Sequence, residues 1–205
     1  MKKNKKIVAA LVLAAGSSTR MGANKLLADF NGRPMIVQTV AQIEASQVNQ
    51  IVVVTGHQAA KIEAALRGEP VSFTHNPDYV LGLSTSLRVG VAALIGKADA
   101  ILVCLGDMPL IDPADINKMI DALDYANEKS VVVPIYAGQM GNPVLWAAKH
   151  IQALMACEGD RGARGLLEKL KNETAKIEIG NPRVVLDADT PEGLAKLRAI
   201  ANSEN

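Results

Sequence analysis

One stretch near the start of the chain constrains the fold more than any other. Residues 7–13 form an unbroken apolar run, which is typical of a strand buried on both faces of a parallel sheet. Directly after this run, Gly16 and Gly22 bracket a loop of small and hydroxyl-bearing residues. Such a loop lets an anion approach the backbone N–H groups, and a nest of these groups binds phosphate. The stretch therefore predicts an α/β fold whose first strand leads into an anion-binding loop.

Two basic residues follow within this stretch. Arg20 can donate to two phosphate oxygens at once, and Lys25 carries a compact positive charge. Together with the strand and the glycine loop, they indicate a site for a nucleoside triphosphate. A P-loop is excluded, because five residues separate the two glycines and Leu26 follows the lysine. The dinucleotide-binding fingerprint is also excluded, because Ser18 stands where its second glycine is needed.

Apolar runs and amphipathic stretches alternate along the rest of the chain. This alternation implies right-handed crossovers, so we expect an α/β, Rossmann-like, doubly wound, mostly parallel sheet with helices on both faces. The stretch 130–146 predicts a small antiparallel addition. We expect Pro34 to begin the first helix, Ser84 to cap a later one and Asp112 to cap another. Further strands are predicted at residues 51–54, 71–74, 100–105, 130–135, 175–179 and 184–186.

Length and composition narrow the classes of protein that fit. The chain has 205 residues, which suits one large domain better than two very small ones, so we expect a single domain over residues 1–205. Its net charge is +1 and its aromatic content is 3%, and both values argue against a partner made of nucleic acid. Cys104 and Cys157 have no Cys or His at metal-ligand spacing, and Cys104 is expected in the core.

The beginning of the chain imitates a secretory signal, because four lysines precede the apolar run. Cleavage after that run would remove the first strand and separate Arg20 and Lys25 from it. No apolar stretch is long enough to span a membrane. We therefore expect a cytoplasmic protein with no membrane partner.

A carboxylate follows the strand predicted at 100–105. The segment Gly106-Asp107-Met108-Pro109 would lie at the carboxyl end of that strand, where ligand sites form in parallel α/β sheets. A bound triphosphate needs Mg²⁺, which prefers one or two protein carboxylates together with phosphate oxygens and water. We therefore expect Asp107 to be a Mg²⁺ ligand.

The pattern L-A-A-G-x-S-x-R-M-G-x-x-K at residues 13–25 closely resembles the signature of the nucleotidyltransferases that act on the molybdenum cofactor. The Gly-Asp-Met-Pro segment is similar to the metal-binding segment of the same family. The resemblance implies that the phosphate of a molybdopterin-type cofactor attacks the α-phosphorus of a nucleoside triphosphate and that pyrophosphate leaves. Arg20, Lys25 and Asp107 would be the catalytic residues. No general base is expected, because a phosphate nucleophile is already ionised near neutral pH.

The resemblance also extends the expected nucleotide site. From chemistry alone, an ordinary capped helix is the favoured interpretation of residues 82–88, but they are similar to a family segment that lies beside the base. Ala15 resembles the cytidylyltransferase form, whereas guanylyltransferases tend to carry glycine there. An alanine leaves less room for a base, so we expect CTP. The nucleotide-binding residues would be Leu13, Ala14, Ala15, Gly16, Arg20, Lys25, Thr55, Gly56, Gly82, Ser84 and Ser86.

Three later segments complete the resemblance. Residues 187–191 resemble an Asp-x-Asp-Thr-Pro segment that implies a second Mg²⁺ ligand, for which we favour Asp189 over Asp187, although capping of the last helix explains it almost as well. Two other segments resemble parts of the family that contact the acceptor, although turns and solvated arginines account for them from chemistry alone. The acceptor-binding residues would be Gly141, Asn142, Pro143, Asp160, Arg161 and Arg164.

Three other functions remain open from the sequence. One is a sugar- or alditol-phosphate nucleotidyltransferase that uses CTP or UTP. Another is a non-catalytic chaperone that binds the cofactor and hands it to a recipient molybdoenzyme, although a metal carboxylate beside the phosphates argues against pure binding. A nicotinamide-dependent oxidoreductase is the third, and the absent dinucleotide fingerprint weakens it.

Overall fold

The computed structural model describes residues 6–17, 24–124, 128–159, 162–186, 188 and 191–203. Its helices are α1 (Met35–Glu44), α2 (Ala59–Ala65), α3 (Leu83–Leu94), α4 (Pro113–Ala122), α5 (Ile151–Met155), α6 (Arg164–Lys169) and α7 (Pro191–Ser203). Its strands are β1 (Val8–Ala14), β2 (Asp29–Phe30), β3 (Arg33–Pro34), β4 (Gln50–Thr55), β5 (Val71–His75), β6 (Ala100–Leu105), β7 (Val131–Tyr136), β8 (Gln139–Met140), β9 (Val144–Ala147) and β10 (Thr174–Glu178). Short 3₁₀ helices lie at Lys25–Leu27, Tyr79–Leu81, Ala148–His150 and Pro182–Val185.

The main sheet has the strand order β10-β7-β9-β6-β1-β4-β5, and β8 pairs with β7 beside this path. Parallel pairing joins β5 to β4, β4 to β1, β1 to β6 and β7 to β10. In contrast, β9 lies antiparallel between β6 and β7, and β8 is antiparallel to β7. The expected mostly parallel α/β sheet with an antiparallel addition is therefore confirmed, and the addition includes an internal strand.

Helices pack on both faces of this sheet, as its first strand requires. All of β1 is buried, and its side chains alternate between two cores. Val8, Ala10, Val12 and Ala14 join a core with α1, α2 and α4, whereas the residues between them join a core with α3, α5 and α6. Cys104 is buried in the first core, as expected, and this burial raises the pKa of its thiol.

The connections between strands place a crevice at the carboxyl ends of the central strands. From β1 the chain passes to β4 and then β5 on one side, and it returns to β6 on the other side of β1. At such a change of direction, the loops that leave the two central strands diverge and open a ligand site. Leu13 pairs with Leu105 at the carboxyl ends of β1 and β6. The glycine loop and the Asp107 loop therefore leave the sheet side by side.

Some local predictions are confirmed and others are wrong. Asp112 caps α4, because its carboxylate accepts from the Ala114 N–H at 2.7 Å. Pro34 belongs to β3, so the first helix begins one residue later. Gly82 rather than Ser84 is the N-cap of α3. The strand predicted at 184–186 is instead a 3₁₀ helix, which Pro182 begins and Asn181 caps.

None of the helices in the described part of the chain combines the length and apolar character needed to cross a membrane.

Candidate active site

An ion pair lies at the carboxyl ends of β1 and β6. The Nζ atom of Lys25 donates to Oδ2 of Asp107 at 2.5 Å, and the two side chains are 17% and 7% exposed. Limited exposure strengthens such a pair, because little water screens the charges. The structure thus brings together the lysine expected at the phosphates and the carboxylate expected at the metal.

The segment before β2 orients Lys25. The side-chain oxygen of Asn24 accepts from the Leu26 N–H at 3.1 Å and caps the 3₁₀ helix that carries the lysine. Leu26 is 4% exposed and anchors this helix in the core. The amide nitrogen of Asn24 is buried, and no partner for it exists among the described residues. A capped and anchored turn therefore directs the ammonium group towards β6.

Two hydrogen bonds to Gly106 hold the backbone just before Asp107. The Gly106 N–H donates to the Leu13 carbonyl at 3.1 Å, which joins the ends of the two central strands. The hydroxyl of Thr39, which is fully buried on α1, lies 3.0 Å from the Gly106 carbonyl and 3.1 Å from that of Met35. The sequence analysis missed Thr39. The available signal was a polar residue within the apolar stripe of α1.

The strand-end residues expected to bind nucleotide lie close together. Leu13, Ala14 and Ala15 are buried and Gly16 is exposed. The Ala15 carbonyl accepts from His57 N–H at 3.1 Å, so the loop after β4 contacts the loop after β1. Gly56 is required here, since a Cβ atom on it would lie 2.8 Å from the Cβ atoms of Ala15 and Tyr79.

Thr55 lies at the same edge, but its side chain has structural partners. It is fully buried, and its hydroxyl lies 3.2 Å from a carboxylate oxygen of Glu63 on α2. A role for Thr55 in nucleotide binding stays a prediction. The position of its backbone suits that role, whereas its side chain has partners within the protein.

Polar side chains also connect the start of α3 to β5. The amide of Asn76 donates to the hydroxyls of Thr85 and Ser86 at 2.8 and 2.9 Å. Asn76, Ser84 and Ser86 are all buried. Ser86 accepts this bond and keeps its own proton for another partner. Asn76 is not among the site residues predicted from the sequence, although it joins two of the segments expected there.

Parts of the two segments expected to bind the acceptor lie among the described residues. The Ser84 N–H donates to the Gly159 carbonyl at 3.2 Å, so Gly159 contacts the start of α3 beside Gly82. Arg164 is exposed at the first position of α6.

The other acceptor segment precedes β9. The antiparallel register of β9 on β6 begins at the pair of Val144 with Val103. Before it, the Asn142 N–H donates to the Val184 carbonyl at 2.8 Å. A Cβ atom on Gly141 would lie 2.2 Å from the Val184 carbonyl oxygen. Packing alone therefore requires this glycine, whether or not the segment contacts an acceptor.

Several residues in the site prediction lie outside the described residues. Their expected roles at the phosphates, the acceptor and the metal therefore stay predictions. They are Arg20, Asp160, Arg161 and Asp189, together with the alternative ligand Asp187.

The carboxylate at the crevice suits a metal ion whose other ligands come from phosphate and water. Within the described ranges, no group of three or more His, Cys, Asp or Glu residues could hold a metal ion. Asp107 is a single buried carboxylate at the crevice. Mg²⁺ is commonly bound in this way, with one or two carboxylates and several oxygens from phosphate and water. Asp107 therefore fits a metal held mainly by a triphosphate, and it does not form a closed metal site by itself.

Comparison with known proteins agrees with this geometry. Residues 10–175 match the family model of the MobA-like NTP transferase domain. The molybdenum cofactor cytidylyltransferase of Escherichia coli is 27% identical over 183 residues, which cover 89% of this chain and 91% of that protein. The bifunctional protein GlmU of Sphingopyxis alaskensis is 36% identical over 128 residues, or 62% of this chain, but the matched part spans only 28% of GlmU. Among solved structures, a nucleotidyl transferase from Methanothermobacter thermautotroptrophicus has a TM-score of 0.85 and 26% identity, covering 98% of this chain and 100% of that one.

Proposed function

Because this chain belongs to the family of MobA-like NTP transferase domains, we propose that it transfers CMP from CTP to the phosphate of a molybdopterin-type cofactor and releases pyrophosphate. Membership of the family confirms the nucleotidyltransferase class of the expected enzyme. The observation that carries the proposal is the Lys25–Asp107 pair at the carboxyl ends of β1 and β6. The choice of acceptor is supported by the cytidylyltransferase relative, which matches nearly the full length of both chains.

The residues at the crevice suit the electrostatic demands of this reaction. An anionic acceptor must approach an anionic triphosphate, so charge neutralisation and in-line positioning are the main tasks. Lys25 would offset charge on the β- and γ-phosphates, and Arg20 would act with it. Asp107, with Asp189 as a second candidate, would hold Mg²⁺, which supplies further positive charge at the phosphates when it is bound. The acceptor phosphate needs no general base, because its second pKa is about 6.

Ala15 supports the choice of a pyrimidine nucleotide. Ala15 is 3% exposed, and its Cβ atom packs against Gly56 where β1 and β4 end. A methyl group at this position occupies space that a glycine would leave open to a larger base. CTP is therefore the proposed donor.

The acceptor would bind between the segment Gly141–Pro143 and the loop that ends at Arg164. Arg164 is exposed and offers a partner for phosphate. A recipient molybdoenzyme would then take the nucleotide form of the cofactor.

Pyrophosphate release with Mg²⁺ and a molybdopterin-type cofactor tests this function. CTP, GTP, ATP and UTP are compared side by side, and release should occur with CTP and require the cofactor. Equal release with GTP would contradict the assigned base. Nucleotide binding without release in any mixture would contradict the assigned acceptor and favour the chaperone function.

A second candidate is transfer to a sugar or alditol phosphate from CTP or UTP. The sequence leaves this candidate open, and the 36% identity with GlmU shows that the similarity is not confined to the cytidylyltransferase at 27%, although it covers a shorter part of the chain. Replacing the cofactor with a panel of sugar phosphates in the same assay distinguishes the two candidates.

A further inference from the structure

The Lys25–Asp107 pair joins two groups that the proposed function assigns to different parts of the substrate. The lysine is assigned to phosphate oxygens and the aspartate to a divalent cation, yet here Nζ lies 2.5 Å from Oδ2. We propose that Lys25 excludes a free divalent cation from Asp107, so that the metal enters together with the triphosphate and not before it. This inference rests on the proposed function of the site.

Geometry explains the exclusion. A Mg²⁺ ion would bind a carboxylate oxygen at about 2.0–2.1 Å, and the ammonium group already contacts that oxygen. The two cations would lie close together where the Asp107 side chain is only 7% exposed. Their repulsion would be weakly screened by water, because the effective dielectric constant falls with burial. A cation alone would therefore have to displace the Lys25 ammonium from that oxygen.

A triphosphate removes this obstacle. Its oxygens can accept from Lys25, and they can also fill the coordination positions that a single carboxylate leaves open. The ammonium then moves from carboxylate to phosphate, and the metal takes its place at Asp107, so both charges stay paired. Lys25 would thus couple metal binding to nucleotide binding.

The chain contains a second pair that serves as a control. Lys118 Nζ lies 2.8 Å from Oδ1 of Asp115, and the Asp115 side chain is 6% exposed. Asp115 also accepts from the amide of Asn181 at 3.2 Å. This pair belongs to α4 and does not lie at the end of β1 or β6. Removing Lys118 also takes an ammonium group away from a buried carboxylate, but Asp115 is not an expected metal ligand.

Titration of nucleotide-free protein with Mn²⁺ alone tests the inference. The free aqueous ion is followed by its paramagnetic resonance signal. Wild type should bind Mn²⁺ weakly, and Lys25→Met should bind it at least about tenfold more tightly, because the competing charge is gone. Lys25→Arg should stay at the wild-type level. The gain should vanish in Lys25→Met combined with Asp107→Asn, and Lys118→Met should show no gain.

Unchanged Mn²⁺ affinity in folded Lys25→Met overturns the inference, and so does an equal gain in Lys118→Met. Folding is checked by circular dichroism, and Lys25→Gln replaces Lys25→Met if the latter does not fold. These readings are independent of turnover. Wild type that releases pyrophosphate while Lys25→Met binds Mn²⁺ no more tightly would leave the proposed function standing and refute the exclusion. Failure of every nucleotide to react would instead refute the function.

Discussion

Two largely buried polar clusters lie at opposite ends of the strands. One is at the carboxyl edge, where β1 and β6 end, and the other is at the amino edge, where β7 begins. At the carboxyl ends of β1 and β6, Lys25 pairs with Asp107. At the amino end of β7, Ser130 lies 2.8 Å from Nε2 of His150 and 2.9 Å from a carboxylate oxygen of Glu173. Ser130 has one proton, which it donates to Glu173, so His150 donates to Ser130. Both clusters are polar and largely buried, but only the first lies where the topology opens a crevice.

The second cluster contains the residue types of a hydrolytic triad without its geometry. A nucleophilic serine needs a neighbouring base and access to substrate, and the carboxylate must orient the base. Here Ser130 is fully buried, and it contacts the histidine and the carboxylate itself. Lys149 pairs with Glu173 at 2.5 Å and completes the set. This cluster therefore stabilises the sheet, and position at the strand ends distinguishes a candidate site from a structural network.

The largest expected effect is the loss of activity when the carboxylate at the carboxyl edge is neutralised. Asp107→Asn keeps the shape of the side chain but removes its charge, so kcat/KM for pyrophosphate release should fall about 10²–10³-fold, which is typical of losing one preorganised electrostatic contact. Asp115→Asn is the matched control, since it neutralises another buried carboxylate away from the crevice, and it should change kcat/KM less than about threefold. Near-normal activity of Asp107→Asn would remove the distinction between the two edges.

The amino edge should show the opposite behaviour. Ser130→Ala removes the partner of the buried His150 Nε2 and one of the hydrogen bonds to Glu173, which keeps its pair with Lys149. The free energy of unfolding should therefore fall by about 1–3 kcal/mol. Urea unfolding measures this loss. Activity of the folded protein should stay within about twofold of wild type. A large loss of kcat in folded Ser130→Ala would show that this cluster takes part in catalysis.

Thr39 tests whether the backbone before Asp107 must be held in place. Thr39→Val removes the hydroxyl that reaches the Gly106 carbonyl at 3.0 Å, and kcat should fall about tenfold through misplacement of Asp107. Thr39→Ser retains the hydroxyl and should recover most of the activity. If valine lowers only stability, with kcat and KM unchanged, Thr39 is structural and does not position the carboxylate.

Lowering the pH should reduce the stability of the protein first through the cluster at the amino edge. Burial lowers the pKa of His150 below its ordinary value of 6.5, so the unfolded chain takes up a proton there before the folded protein does. Stability should be fully present above pH 6.5 and fall as the pH drops below it. Hydrogen bonds from Lys149 and Ser130 lower the pKa of Glu173, which adds a second loss below pH 4.5.

Urea midpoints measured between pH 8 and pH 5 follow the histidine effect, and they should fall as the pH drops below 6.5. His150→Gln should flatten this dependence between pH 6.5 and pH 5. An unchanged slope would place its origin outside the cluster.

The sequence predicted the parts of the fold that local chemistry determines. Buried parallel strands such as β1 are continuous apolar runs, and the start of α4 is marked by Asp112 as a cap followed by a proline. The insertion of β9 between β6 and β7 was not predictable in this way, because periodicity identifies a strand but not its neighbours. The prediction of a strand at 184–186 was also wrong. Pro182 and the Asn181 cap favour the start of a helix, and they outweigh the preference of two valines for a strand.

The candidate site was predictable where position along a strand determines the chemistry. Asp107 follows β6 directly, so its place at the crevice follows from the order of the elements. Thr39 and Asn76 could not be identified, because each is a single polar residue that becomes part of the site only through tertiary contacts. The direct pairing of Lys25 with Asp107 also required the structure, since the two lie 82 positions apart in the chain.

The measurement that tests the central claim most directly is identification of the product by mass spectrometry. Wild type and Asp107→Asn are incubated with CTP, Mg²⁺ and a molybdopterin-type cofactor. Wild type should add one CMP to the cofactor and release pyrophosphate, and Asp107→Asn should form little product. The account would be contradicted if wild type formed no nucleotide adduct of the cofactor, or if Asp107→Asn formed it at the wild-type rate.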